Sequence, residues 1–88
     1  MNEKELEKML KALANKRRLA ILKVLGAGKE KMVGEISERI KLSFRSTSRH
    51  LSILYSAGIL DRRQVALQVL YKISSDIPKI ASNILSSV

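Results

Sequence analysis

Up to Ala57, apolar residues recur at intervals of three and four along this chain. Beyond Gly58 they fall into two short runs of β-branched and aliphatic residues, and helical spacing returns at Ile77. This switch of period is the strongest constraint on the fold. A pattern with a 3.6-residue period cannot bury its apolar face as a strand, so one ribbon must interrupt a helical body.

The spacing predicts a first helix over residues 3–14, with Leu6, Met9, Leu10 and Leu13 on one stripe. Asn15 is a suitable N-cap for a second helix over 16–27. There Leu19, Ile21, Leu22, Val24 and Leu25 surround most of the axis, as in a central buried helix, and Gly26 and Gly28 supply its stop. A short third helix covers 33–40, and a turn over 41–43 leads to a fourth at 44–57, ended by Gly58. Strands follow at 59–65 and 67–73 around a turn at Ala66. The last helix starts at about Asp76 behind a Ser75 cap, with Pro78 in its first turn, where a missing N–H does no harm. Its stripe is Ile77, Ile80, Ala81, Ile84 and Val88. The expected fold is mainly α, with about five helices and a small β-hairpin, in the order α-α-α-α-β-β-α.

A length of 88 residues points to a single domain over 1–88 with a small core. The absence of cysteine removes disulfides, thiolate metal sites and cysteine nucleophiles. The charged, acid-rich start MNEKELEKML is unlike a secretory leader, and no apolar run approaches membrane-spanning length, so a cytoplasmic location is expected.

The chain carries 17 Lys and Arg against 8 Asp and Glu, for a net charge of +9. The excess is concentrated. Between Arg39 and Lys72 the bases are Arg39, Lys41, Arg45, Arg49, Arg62, Arg63 and Lys72, and Asp61 is the single acid. Such a local surplus attracts polyanions.

Its centre is the fourth helix, whose first residues read FRSTSRHL. On a wheel, Phe44, Thr47, Leu51, Leu54 and Tyr55 gather on one side, expected to face the core. Arg45, Ser48, Arg49, Ser52 and Ser56 gather on the other, with Ser46 and His50 along a boundary. An acid-free face of guanidinium and hydroxyl groups suits nucleic acid. Arginine can hold guanine O6 and N7 bidentately, and serine bonds phosphates or base edges. A short helix, a tight turn and this helix make a helix-turn-helix, which sets the first turn of its second helix toward the bases. The candidate DNA contacts are Ser43, Arg45, Ser46, Ser48, Arg49 and His50. Arg62 and Arg63 on the following ribbon are the candidate contacts of a wing, with at least one facing a phosphate or a groove.

The segments LKALANKRRLAILKVL, VGEISERIKLSFRSTSRHLSILYSAGIL and VLYKI resemble the ArsR-type winged helix-turn-helix transcriptional regulators over about residues 10–73. The resemblance implies a homodimer joined by its terminal helices, about 3–14 and 76–88, that sets two recognition helices in successive major grooves of a near-palindromic operator. Repression is implied by the same resemblance. By position, Arg45, Ser46, Ser48, Arg49 and His50 fall in the DNA-facing motif, and Arg62 and Arg63 in the wing. The expected dimer residues are Leu6, Met9, Leu10, Leu13, Ile77, Ile80, Ile84 and Val88, whose stripes need a partner.

Two departures stand out. Many relatives end the wing turn with Gly and Arg, where this chain has Ala66 and Leu67 within the tip from Val65 to Gln68. Phe44 stands where a polar residue is common. Metal sensing is also disfavoured, because cysteine is absent and His50 is the one histidine. No cofactor is expected.

An enzyme is not expected either. The glycines are isolated, at 26, 28, 34 and 58, and no nucleophile–base set is present. GAGKEK lacks a preceding strand and a GKS or GKT ending, so it reads as the loop after the second helix. Double-stranded DNA and a second copy of the chain are the expected partners. The competing readings are a winged-helix protein-interaction module, a binder that coats DNA without reading it, and attachment to a membrane surface. The mixed charges of the first helix disfavour the last of these.

Overall fold

The computed structural model describes residues 1–87, so Val88 and its expected dimer role lie outside the described residues. The elements run α1 (Glu3–Leu13), α2 (Lys16–Leu25), β1 (Lys31–Met32), α3 (Val33–Ile40), α4 (Phe44–Ser56), β2 (Leu60–Val65), β3 (Gln68–Ile73) and α5 (Lys79–Leu85).

Local chemistry sets most boundaries. The Asn2 side chain accepts from the Glu5 N–H at α1, and Asn15 accepts from Arg17 and Arg18 at α2. Gly26, at φ +63°, ends α2 slightly before the expected stop. Gly58, at φ +80°, closes α4, with the Ile59 N–H returning to the Leu54 carbonyl. The turn between α3 and α4 is built in the same way. Lys41 takes φ +55° and the Leu42 N–H donates to the Ser37 carbonyl at 3.1 Å.

Two expectations about elements are corrected. The ribbon is a three-stranded antiparallel sheet in the order β1-β3-β2, with Lys31 opposite Tyr71 and Met32 opposite Leu70. A strand of two residues has no period to read, and β1 exists because β3 offers it a free edge. The last helix begins at Lys79 rather than near Asp76. Pro78 disfavours helical geometry at Ile77 and serves as the N-cap, while the Ser74 hydroxyl accepts from the Asp76 N–H to form a turn.

The core gathers Met9, Ala12 and Leu13 of α1, Ile21, Leu22 and Leu25 of α2, Val33 and Ile36 of α3 and Leu51 and Leu54 of α4. Ile59, Leu60, Tyr71 and Ala81 complete it. As its encircling apolar pattern suggests, α2 is central and meets α1, α3, α4 and α5. Met9 and Leu13 are therefore taken up within the protomer, and the α1 stripe is not wholly available to a partner. Full burial of the pair fixes α1 against its own chain.

Phe44 and Tyr55 also depart from the wheel, at 61% and 40% exposed. A wheel assumes that neighbours flank the helix along its whole length. These residues stand at the two ends of α4, beyond the buried Thr47, Leu51 and Leu54.

Candidate nucleic-acid interface

The helix-turn-helix consists of α3, the turn at 41–43 and α4. Ser43 caps α4, its Oγ accepting from the Ser46 N–H at 3.1 Å. That leaves the Ser43 hydroxyl proton free to donate outward. The first turn of α4 has no acid, and its unpaired N–H groups and positive dipole end suit an anion.

Arg45, Ser46, Arg49, Ser52 and Ser56 are exposed, forming an outward face opposite Thr47, Leu51 and Leu54. Neither Arg45 nor Arg49 is paired with a carboxylate; the ion pairs among the described residues are Glu7–Lys11 and Glu30–Arg63. Ser48 is half-buried instead. It lines a groove of about 380 Å³ between α4 and the sheet, together with Phe44, Leu67, Val69 and Tyr71.

His50 points the other way, toward α1 and α2. Its Nδ1 lies 3.2 Å from an Arg18 guanidinium nitrogen. Arginine has no acceptor, so Nδ1 is the unprotonated acceptor and the neutral ring carries its proton on Nε2. The same guanidinium donates from Nε to the Ala12 carbonyl at 2.6 Å and from its other amino group to the Lys11 carbonyl at 3.3 Å. It thus satisfies carbonyls that the end of α1 leaves unpaired. Burial, followed by the charges of Arg18, Arg17 and Arg49, pushes the His50 imidazole below its ordinary pKa.

Both wing arginines are engaged. Arg62 lies over the Tyr55 ring, 3.9 Å from its centre, in a cation–π contact. Arg63 grips Glu30 bidentately, with Nε to Oε2 at 2.8 Å and its terminal nitrogen to Oε1 at 2.9 Å. Those hydrogen bonds hold the Glu30 carboxyl below its ordinary pKa. The wing tip turns at Ala66, whose φ of +55° is unusual for a residue with a Cβ. Leu67 beside it is 97% exposed.

Sequence reasoning missed Arg18, Glu30 and the Tyr55 platform. Arg18 and His50 are separated by 32 positions, and Arg63 and Glu30 by 33, so no local pattern could link them. The compact run KRRL at the start of α2 was the one available hint for Arg18.

Among the expected dimer residues, Leu10 is 39% exposed and Ile80 46% exposed. Leu6, Ile77 and Ile84 are half-buried against the core. An open groove on the outer side of α1 is lined by Glu3, Leu6, Glu7, Leu10, Lys11 and Ala14. Among the described residues there is no cluster of three or more His, Cys, Asp or Glu side chains suited to a metal ion. No helix among them is long and apolar enough to cross a membrane.

Residues 15–62 match the family model of the bacterial regulatory proteins of the arsR family. The chain is 43% identical over 82 residues to the transcriptional activator HlyU of Vibrio cholerae, covering 85% of this chain and 75% of HlyU. It is 35% identical over 68 residues to the biofilm growth-associated repressor of Agrobacterium fabrum, covering 77% of this chain and 57% of that relative. Reduced HlyU from Vibrio cholerae superposes with a TM-score of 0.80 at 36% identity, over 98% of this chain and 86% of that one. A homodimeric winged helix-turn-helix DNA-binding domain from Mycobacterium bovis superposes with a TM-score of 0.79 at 27% identity, over 96% of this chain and 74% of that one. With its helix-turn-helix, its wing and these relatives, the chain belongs to the arsR family of bacterial regulatory proteins, DNA-binding transcriptional regulators built on a winged helix-turn-helix.

Proposed function

We propose that this protein is a homodimer that binds a pseudo-palindromic operator in double-stranded DNA and represses transcription where that operator overlaps a promoter. The observation that carries this reading is the outer face of α4, where Arg45, Ser46 and Arg49 stand exposed above a capped, acid-free helix start. Arg45 and Ser46 read base edges, Arg49 and Ser43 bond phosphate or base, and the positive helix start attracts the backbone. His50 acts from behind the interface, fixing α4 against α1 and α2 through Arg18. The wing adds the Arg62 guanidinium, held on Tyr55.

Dimerisation is supported by the apolar residues left outside on the terminal helices, Leu10 of α1 and Ile80 of α5. A twofold axis buries both stripes at once and sets half-site centres about 10 bp apart. HlyU is named an activator and the Agrobacterium relative a repressor, so the sign of regulation varies among similar chains. Occlusion of a promoter asks only for tight, specific binding, which is what the α4 face offers.

Selection from a random duplex pool at moderate salt tests the reading. A two-fold symmetric motif is expected to be enriched, and Arg45→Ala should relax its preference at one base pair per half-site by about 1–3 kcal/mol. Enrichment of no motif, with equal retention of every duplex, would instead identify a non-specific binder. For the sign of regulation, a reporter promoter overlapping the selected site should fall in output when the protein is supplied, and a rise would reverse that part of the proposal.

A further inference from the structure

Phe44 is the chain's one phenylalanine and the first residue of α4. It is 61% exposed, whereas Tyr71 is buried in the core and Tyr55 carries Arg62. Neither the core nor the half-buried residues packed around it include Phe44. Phe44 directly precedes the exposed Arg45 and forms one lip of the groove whose other lip is the exposed wing-tip Leu67. A large apolar ring in this position does little for folding, and water is a poor environment for it. The edge of a major groove offers one apolar group, the C5-methyl of thymine, and phenylalanine is among the side chains that contact it.

We propose that Phe44 is a specificity-determining residue that reads the C5-methyl of a thymine in each half-site, next to the base pair read by Arg45. This inference rests on the regulator reading above and adds a named base group to it. The first turn of α4 then carries two complementary readers side by side. Arg45 takes a hydrogen-bonding purine edge, and Phe44 takes an apolar pyrimidine edge. A polar residue in place of Phe44 would leave the thymine methyl facing water, so the preference follows from this side chain and not from the fold alone.

Deoxyuridine is the discriminating probe, because it pairs as thymine does and lacks only the methyl group. Each thymine of the selected duplex is replaced in turn, and affinity is measured for the unaltered protein and for Phe44→Ala. One thymine per half-site is expected to lose about fourfold in affinity on replacement, and about fifteenfold when both half-sites are altered. Phe44→Ala should bind the thymine and deoxyuridine duplexes equally, with an unchanged circular dichroism spectrum. A flat deoxyuridine scan with the unaltered protein would overturn the inference, as would a loss that persists in Phe44→Ala. Either result leaves the regulator reading standing, since a motif will already have been selected. Failure to select any motif would overturn that reading and this inference with it.

Discussion

A guanidinium nitrogen of Arg18 sits 3.2 Å from Nδ1 of His50, and the same side chain holds the Ala12 and Lys11 carbonyls. One arginine from α2 therefore joins the end of α1 to the middle of α4. The helix proposed to read DNA and the helix proposed to carry the dimer interface are fixed through a single planar group. Truncation as Arg18→Met should destabilise the protein by roughly 1–3 kcal/mol, because charge-assisted hydrogen bonds are lost and carbonyls are left unpaired. Urea unfolding measures it.

The Arg18–His50 hydrogen bond requires a neutral imidazole, which makes stability depend on pH. In the unfolded chain His50 titrates near its ordinary value, and in the folded chain burial and Arg18, Arg17 and Arg49 lower it. The folded state thus binds the proton more weakly. The stabilisation is fully present above the unfolded value and is lost as pH falls through the lowered folded one. The melting temperature should drop between pH 7.5 and mildly acidic pH. His50→Asn, which retains an acceptor near Nδ1 and cannot titrate, should flatten that part of the profile. An equal drop in His50→Asn would place the pH sensitivity elsewhere.

The two sides of α1 should respond differently to substitution. Met9 is 1% exposed, so Met9→Ala should cost about 2–5 kcal/mol in stability. Leu10 and Ile80 are partly exposed, so Leu10→Glu and Ile80→Glu should leave the protomer folded and lower the mass seen by light scattering from dimer to monomer. A persistent dimer in both variants would move the interface away from these helices.

Glu30 restrains a wing arginine. Releasing it as Glu30→Gln should free Arg63 to meet phosphate, so DNA affinity should rise at low salt. The slope of log affinity against log salt should steepen by about 0.9 for each further phosphate neutralised. Unchanged slopes in titrations at several salt concentrations would mean that Arg63 does not reach the backbone.

The wing turn should be improvable. Ala66 holds φ +55° at the first central position of a two-residue hairpin loop, a conformation that costs a residue with a Cβ about 1–2 kcal/mol. Ala66→Gly removes this strain, and the greater entropy of the unfolded glycine chain offsets part of the benefit. A net stabilisation of roughly 0.5 kcal/mol is expected in urea unfolding, with sequence preference on DNA unchanged.

What the sequence determined by itself is local in origin. The apolar spacing, Asn15 and Ser43 as caps, Gly58 at the end of α4 and the change of period beyond it are written in neighbouring residues, and each recurs in the structure. The exposure of Arg45 and Arg49 followed from the wheel, because helical geometry alone turns them away from Thr47, Leu51 and Leu54, whereas Ser46 from its boundary came out exposed and Ser48 from its outer side came out half-buried. Only the tertiary structure decided the rest. β1 exists because β3 had an open edge, whereas the late start of α5 is a local effect of Pro78 on Ile77. Which apolar residues stay outside depended on packing: Met9 and Leu13 went to the core, and Phe44 did not. His50 met Arg18 and Arg63 met Glu30 across more than 30 positions. Charge and periodicity say that a side chain can bond or bury. The folded chain decides which partner it meets, since long-range neighbours are chosen by how helices and sheet pack.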